Sequence, residues 1–122
     1  MFQDAVSAGK HLICDFKNIK NDTILNDTAR LQTLCREICA AHNFTILGEL
    51  EKQFEPQGFS FIFLLSESHL SIHTFPERQH LSFDLYTCRQ YDTNEVYLNI
   101  YKTISTHLES PNSEIRIIDR NF

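Results

Sequence analysis

Positions 59–75 read FSFIFLLSESHLSIHTF, and this stretch decides the fold. Its first part, residues 59–65, is dense in aromatic and aliphatic side chains, and its second part, residues 68–75, alternates apolar and polar ones. Both patterns predict β-strands. Successive side chains of a strand point to opposite faces, so Phe59, Phe61 and Phe63 share one face. A face this apolar needs cover, either from helices or from another subunit.

The flanking sequence predicts two helices and four further strands. The first helix, residues 28–42, follows a cap at Asn26 or Asp27 and repeats apolar residues at the helical period. The second begins after a cap at Asn94 and ends before Pro111. The turn signal at residues 56–58 predicts a hairpin between its neighbouring strands. The further strands are predicted at residues 10–16, 45–54, 81–86 and 114–118. This order predicts an α+β fold, a two-layer α/β sandwich with a mostly antiparallel sheet and both helices on one face.

Composition restricts the class of protein. A chain of 122 residues with 42% hydrophobic content fits one domain, residues 1–122. The net charge is -5, whereas a nucleic-acid binder usually carries clustered positive charge. No stretch approaches the roughly 20 apolar residues that span a bilayer, and the opening residues lack the pattern of a signal peptide. We therefore expect a cytoplasmic protein with no membrane and no nucleic-acid partner.

The cysteines and histidines argue against a disulfide framework and a metal site. The four cysteines show no pairing pattern, and Cys35 and Cys39 fit the apolar face of the first helix. His69 and His73 on a strand would lie roughly 13 Å apart, too far to share one zinc ion. We therefore expect reduced thiols and no metal. A serine-hydrolase elbow and a phosphate-binding glycine loop are also absent from the sequence.

The segment SESHLSIHTFPE at positions 66–77 resembles the self-processing site of the bacterial S-adenosylmethionine decarboxylases. The resemblance extends to GKHL at 9–12, FEPQG at 54–58 and DLYTC at 84–88, so it covers most of residues 9–88. It implies autocatalytic cleavage between Glu67 and Ser68, which yields a β chain of residues 1–67 and an α chain of residues 68–122. Ser68 would become the pyruvoyl cofactor, whose carbonyl forms a Schiff base with the substrate.

The resemblance also implies the roles of the catalytic residues. His73 falls on the processing base, and an imidazole accepts protons near neutral pH. Ser60 falls on the serine that supports the processing intermediate. Cys88 falls on the proton donor of decarboxylation. Each residue type alone is more often structural, and only their joint spacing from Ser68 indicates function. His69 either packs beside the cleavage site or takes part in it.

The implied reaction is that of a carboxy-lyase acting on S-adenosylmethionine, and its product feeds spermidine and polyamine biosynthesis. The pyruvoyl group replaces pyridoxal phosphate as the electron sink. Phe54 and Phe75 fall on the positions that stack on adenine, and Glu77 either holds the ribose or caps a turn. The family works as a homodimer with residues from both chains at each site.

Some residues depart from the family pattern. Phe75 stands where tryptophan is usual, and Arg89 where glycine is usual. Phe59 and Phe61 replace smaller residues beside Ser60, which predicts a crowded site. A smaller pocket leaves open a sister pyruvoyl enzyme that decarboxylates ornithine or arginine. A non-enzymatic regulatory paralogue is the third alternative, although such a protein would be expected to lose the cleavage and catalytic residues.

Overall fold

The computed structural model describes residues 6–122, which form six strands and two helices in the predicted order. Their bounds are β1 Ser7–Lys17, α1 Thr28–Ala41, β2 Ile46–Gln53, β3 Phe59–Leu65, β4 Ser68–Phe75, β5 His80–Thr87, α2 Glu95–Leu108 and β6 Asn112–Asn121. Short 3-10 turns occupy Asp22–Asn26 and Pro76–Arg78. Residues 1–5, on which the expectation of no signal peptide depends, lie outside the described part of the chain. Neither helix within residues 6–122 is long and apolar enough to cross a membrane.

The strands form a single sheet in the order β2-β3-β4-β5-β1-β6, and every neighbouring pair is antiparallel. The predicted hairpin of β2 and β3 is confirmed. A second hairpin joins β3 to β4 through only Ser66 and Glu67, and its register pairs Leu65 with Ser68. The proposed cleavage bond therefore lies at the end of a tight hairpin.

Both helices begin and end close to the predicted positions. The side chain of Asp27 caps α1 by accepting a hydrogen bond of 3.1 Å from the backbone N–H of Arg30. Asn94 occupies the N-cap position of α2, but its side chain makes no capping bond and instead accepts 2.6 Å from Lys10 Nζ. The chain leaves α2 at Glu109, in the left-handed region at φ 54°, before Pro111 is reached.

The core lies between the sheet and the helices. The guanidinium of Arg36 in α1 covers the ring of Phe63 at 5.0 Å, and Tyr101 of α2 stacks on Phe16 of β1 at 5.7 Å. Phe59, Phe61 and Phe63 are all buried on this side, so helices rather than another subunit cover them. The predicted α+β sandwich with both helices on one face is confirmed. The opposite sheet face is open.

Candidate active site

The β3–β4 hairpin brings Glu67 and Ser68 against the end of β5. Glu67 has φ 60°, a left-handed conformation that is uncommon for a residue with a side chain. Ser68 begins β4 on the helix-facing side and is 8% exposed. Cys88 follows β5 directly, and its Sγ donates a hydrogen bond of 3.2 Å to Oε2 of Glu67. We call Glu67, Ser68 and Cys88 the hairpin cluster.

Contacts within the hairpin cluster control the ionisation of Cys88. The hydrogen bond to Glu67 raises the pKa of the Cys88 thiol above its usual value, and desolvation and the negative charge of Glu67 act in the same direction. A hydrogen bond with the Ser68 side chain opposes this by a smaller amount. Cys88 is therefore a protonated thiol at neutral pH, the form that can give up a proton.

Gly9 of β1 lets this cluster pack closely. Its φ is 103°, and a Cβ built there would lie 1.8 Å from the carbonyl oxygen of Thr87 and 2.6 Å from the Cα of Cys88. Only a residue without a side chain fits. The buried Thr87 hydroxyl shares a hydrogen bond of 2.7 Å with Tyr97 of α2, which fixes the end of β5 from the helix side. The sequence carried one signal for this contact, a glycine directly before the predicted strand 10–16.

A second group of predicted site residues lies on the open face of the sheet. Ser60 and His73 are paired across β3 and β4, and a hydrogen bond of 2.6 Å joins Ser60 Oγ to His73 Nδ1. The same two residues line a surface cavity of about 390 Å³ together with Phe54, Phe75 and Glu77. The predicted processing pair and the predicted substrate-binding residues are thus adjacent. We call these five residues the open-face cluster.

The two clusters are well separated within one chain. Ser68 and His73 lie five positions apart on β4, which corresponds to roughly 16 Å along an extended strand. They also project to opposite faces, because Ser68 is on the buried side while His73 is exposed on the open side. A single chain therefore does not bring the imidazole of His73 to the Glu67–Ser68 bond.

His69, adjacent to Ser68, belongs to a hydrogen-bonded network on the open face. Oδ1 of Asp84 lies 3.1 Å from Nε2 of His69 and 3.1 Å from Nε2 of His11, and Oδ2 accepts 2.7 Å from the Ser71 hydroxyl. Asp84 therefore fixes the ring of His69 in the strand. The sequence left the role of His69 open. It gave Asp84 no role of its own, because Asp84 was only part of the matching segment 84–88.

The same network contains the nearest approach to a metal-binding group among the described residues. Ligand atoms of His11, His69 and Asp84 lie within 4.8 Å of one another. However, Nη1 of Arg120 lies 3.2 Å from Nδ1 of His11. A guanidinium only donates, so Nδ1 accepts and Nε2 of His11 carries the proton that it donates to Asp84. A metal ion would need the lone pair at that Nε2, so the group is better suited to hydrogen bonding.

The expected crowding by Phe59 and Phe61 is wrong. Both side chains are buried in the core with their rings 6.1 Å apart, on the sheet face opposite Ser60, because the side chains of β3 alternate. Arg89, another departure from the family pattern, binds the segment that follows α1. Its guanidinium donates to the carbonyl of His42 at the end of α1 and lies 4.5 Å from the centre of the Phe44 ring.

Fold and site together define a class of protein, a small α+β sandwich with a Glu-Ser bond at a hairpin end beside a thiol. The sequence profile described as S-adenosylmethionine decarboxylase matches residues 10–121. The chain belongs to the S-adenosylmethionine decarboxylase family.

Curated relatives and solved structures agree with this assignment. An S-adenosylmethionine decarboxylase proenzyme of Brevibacillus brevis is 45% identical over 80 residues, which cover 66% of this chain and 59% of that protein. The proenzyme of Archaeoglobus fulgidus is 34% identical over 88 residues, covering 72% and 76%. The adenosylmethionine decarboxylase of Aquifex aeolicus superimposes with a TM-score of 0.83 at 24% identity, covering 97% of this chain and 94% of that one, which confirms the fold.

Proposed function

We propose that this chain is a self-processing, pyruvoyl-dependent S-adenosylmethionine decarboxylase of the cytoplasm. The single domain cuts itself between Glu67 and Ser68 into a β chain of residues 1–67 and an α chain of residues 68–122. Its product, decarboxylated S-adenosylmethionine, is the aminopropyl donor for spermidine and other polyamines. The observation that carries the proposal is the hairpin cluster, in which the bond to be cut, the serine hydroxyl and a protonated thiol meet.

Cleavage begins when Oγ of Ser68 attacks the carbonyl carbon of Glu67. The peptide C–N bond breaks, an ester forms and the Ser68 nitrogen becomes a free amine. The left-handed conformation of Glu67 favours this step. It costs a residue with a side chain roughly 1–2 kcal/mol, which raises the free energy of the uncut chain. A base then removes the Cα proton of Ser68, and Glu67 leaves as a carboxylate. Water replaces the nitrogen of the remaining dehydroalanine, and ammonia departs.

The residues present fit a pyruvoyl group at position 68. Ser68 is 8% exposed, and the thiol of Cys88 is hydrogen-bonded to the preceding residue, Glu67, so the position is sheltered and close to a proton source. When formed, the group supplies the electron sink for decarboxylation. Cys88 holds the proton that the substrate carbon receives after carbon dioxide leaves. Neither a metal ion nor pyridoxal phosphate has a part in this proposal.

The working unit is a homodimer in which each site combines the hairpin cluster of one copy with the open-face cluster of the other. The separation of Ser68 from His73 within one chain supports this arrangement, because the processing base has to come from elsewhere. An apolar surface is available for the contact: on the open face Leu50, Leu64 and Ile62 are 76%, 56% and 41% exposed. Burial of such a patch favours association.

The substrate, S-adenosylmethionine, is held by the open-face cluster. Phe54 and Phe75 are 48% and 40% exposed, so their rings are free to stack on adenine. A sulfonium near an aromatic face gains on the order of 1 kcal/mol. Glu77 offers its carboxylate to the ribose hydroxyls from the same cavity, which measures about 390 Å³.

Intact-mass spectrometry of the purified protein tests the cleavage directly. We expect one fragment ending at Glu67 and a second beginning with a ketone-capped residue 68, whereas Ser68→Ala should give one uncut chain. Carbon dioxide release is then measured with S-adenosylmethionine, ornithine and arginine as separate substrates. Release from ornithine or arginine alone would replace the proposed substrate, and a permanently uncut wild-type chain would favour a regulatory paralogue.

A further inference from the structure

The hairpin cluster contains two nucleophiles, the hydroxyl of Ser68 and the thiol of Cys88. Oγ belongs to the residue that follows the Glu67–Ser68 bond, and Sγ is hydrogen-bonded to the side chain of the residue that precedes it. A thiolate is a far stronger nucleophile than a serine hydroxyl. The cluster therefore needs a means of favouring attack on the Glu67 carbonyl by the Ser68 oxygen over attack by the Cys88 sulfur.

Attack by sulfur would give the wrong product. If the Cys88 thiolate added to the Glu67 carbonyl, the peptide C–N bond would break and a thioester would join residues 67 and 88. Water would hydrolyse this thioester, returning the thiol and a Glu67 carboxylate. The second fragment would then begin with an intact serine, because no Cα proton is removed and no ammonia is lost. Such a chain is cut but has no cofactor.

We propose that the Glu67 side chain holds Cys88 as a neutral thiol in the uncut chain and so reserves the Glu67 carbonyl for the Ser68 oxygen. This inference rests on the proposed function, and it adds a positioning residue for processing fidelity. The geometry that carries it is the 3.2 Å hydrogen bond from Cys88 Sγ to Glu67 Oε2. That bond exists only while the thiol keeps its proton, because a thiolate has none to donate.

The position of the carboxylate is fixed by the fold. Glu67 is one of two residues in the β3–β4 turn, where Leu65 pairs with Ser68, and the backbone N–H of Ser66 donates 3.1 Å to the Thr45 carbonyl. Cys88 is held at the end of β5 by the close approach of Gly9. The raised pKa of Cys88, caused first by its hydrogen bond to Glu67, agrees with the same assignment.

The first experiment measures the reactivity of the Cys88 thiol and does not require the chain to be cleaved. In a Ser68→Ala background, the rate of iodoacetamide labelling is followed from pH 6 to 9 with and without Glu67→Gln. Charge-assisted hydrogen bonds are about twice as strong as neutral ones, so we expect Glu67→Gln to speed labelling near pH 8 by about three- to fivefold. The other cysteines, Cys14, Cys35 and Cys39, are at most 1% exposed and should react far more slowly.

Asp92→Asn in the same Ser68→Ala background is the matched control. It removes one exposed negative charge from the loop between β5 and α2 without touching the Cys88–Glu67 bond. Its labelling profile should follow that of the parent. Equal labelling rates for Glu67→Gln and the parent would overturn the proposal, as would an equal increase in Asp92→Asn.

The second experiment examines the product of processing in chains that keep Ser68. Glu67→Gln should yield a portion of 68–122 fragments that begin with serine. These fragments are heavier than the pyruvoyl form by the mass of one ammonia molecule, a difference that intact mass resolves. Adding Cys88→Ala should remove that portion. If every 68–122 fragment of the Glu67→Gln variant began with a pyruvoyl group, the inference would be overturned. An uncut wild type would instead defeat the proposed function, while the labelling result would still report on Glu67.

Discussion

Complementation between two inactive variants provides the strongest test of the shared active site. Ser68→Ala lacks the nucleophile and His73→Ala lacks the processing base, so neither should cleave alone. Ser68 and His73 of one chain lie roughly 16 Å apart and on opposite sheet faces, too far for proton transfer. In the proposed dimer with one copy of each variant, however, the Ser68 of one copy would meet the intact His73 of the other. One complete site is restored per mixed dimer.

The size of the rescue follows from pairing statistics. Two chains made in equal amounts and pairing at random in a two-fold dimer give about half mixed dimers. One chain of each mixed dimer is cut, so about a quarter of all chains and about half of the His73→Ala chains should be cleaved. Co-expression with different affinity tags followed by intact-mass spectrometry measures this fraction. The 68–122 fragment should carry the His73→Ala substitution.

A second pairing is the matched control for this experiment. Ser60 and His73 belong to the same open-face cluster and are joined by a 2.6 Å hydrogen bond, so Ser60→Ala should complement Ser68→Ala but not His73→Ala. Absence of fragments from the Ser68→Ala and His73→Ala mixture would refute the shared site. Full cleavage of His73→Ala by itself would show that another group is the base.

Three further predictions concern the thiols and Gly9. Cys88→Ala should still process but should decarboxylate about 10² to 10⁴ times more slowly, as expected for loss of a general acid, and unchanged turnover in a carbon dioxide release assay would remove Cys88 from the mechanism. Gly9→Ala would place a Cβ 1.8 Å from a backbone oxygen of β5 at φ 103°, so its urea midpoint should fall and its cleavage should slow; a wild-type midpoint would contradict the packing argument. Burial raises the pKa of Cys14 to about 12 and that of Cys39 to about 11, from a usual value of 9.0, and raises that of Cys35 further. The unfolded chain therefore releases these protons first, and the free energy of unfolding should fall as pH rises above about 9, by about 1.4 kcal/mol per thiol at pH 10. Urea titrations at pH 7 and 10 measure the loss, and Cys39→Ala should reduce it by about a third.

The elements were predictable because local chemistry sets them. Alternation and aromatic content placed β3 and β4 at their observed bounds, and the helical period with a cap at Asp27 placed α1 within one residue of its observed end. Errors arose where a side chain had a better partner elsewhere. The sequence predicts a capping side chain at Asn94, yet its oxygen accepts a hydrogen bond from Lys10, which lies far away in sequence. The sequence could not reveal that contact.

The candidate site was predictable only as a set of residue types. Spacing singled out Ser68, His73 and Cys88, but spacing along a strand does not state which groups meet. The structure shows Cys88 beside Glu67 and Ser68, while His73 lies with Ser60 on the other face. These contacts follow from the sheet order, which brings the end of β5 next to the start of β4.

The sequence by itself determined the order of strands and helices, the presence of an apolar face on β3, and the residue types at the proposed cleavage bond. Each of these depends on interactions between residues close together in the chain. The tertiary structure alone decided that Glu67 hydrogen-bonds Cys88, that the backbone of Gly9 packs against the end of β5, and that Ser60 pairs with His73 across β3 and β4. Those facts depend on which distant strands become neighbours, and pairing between strands is selected by burial of the whole core.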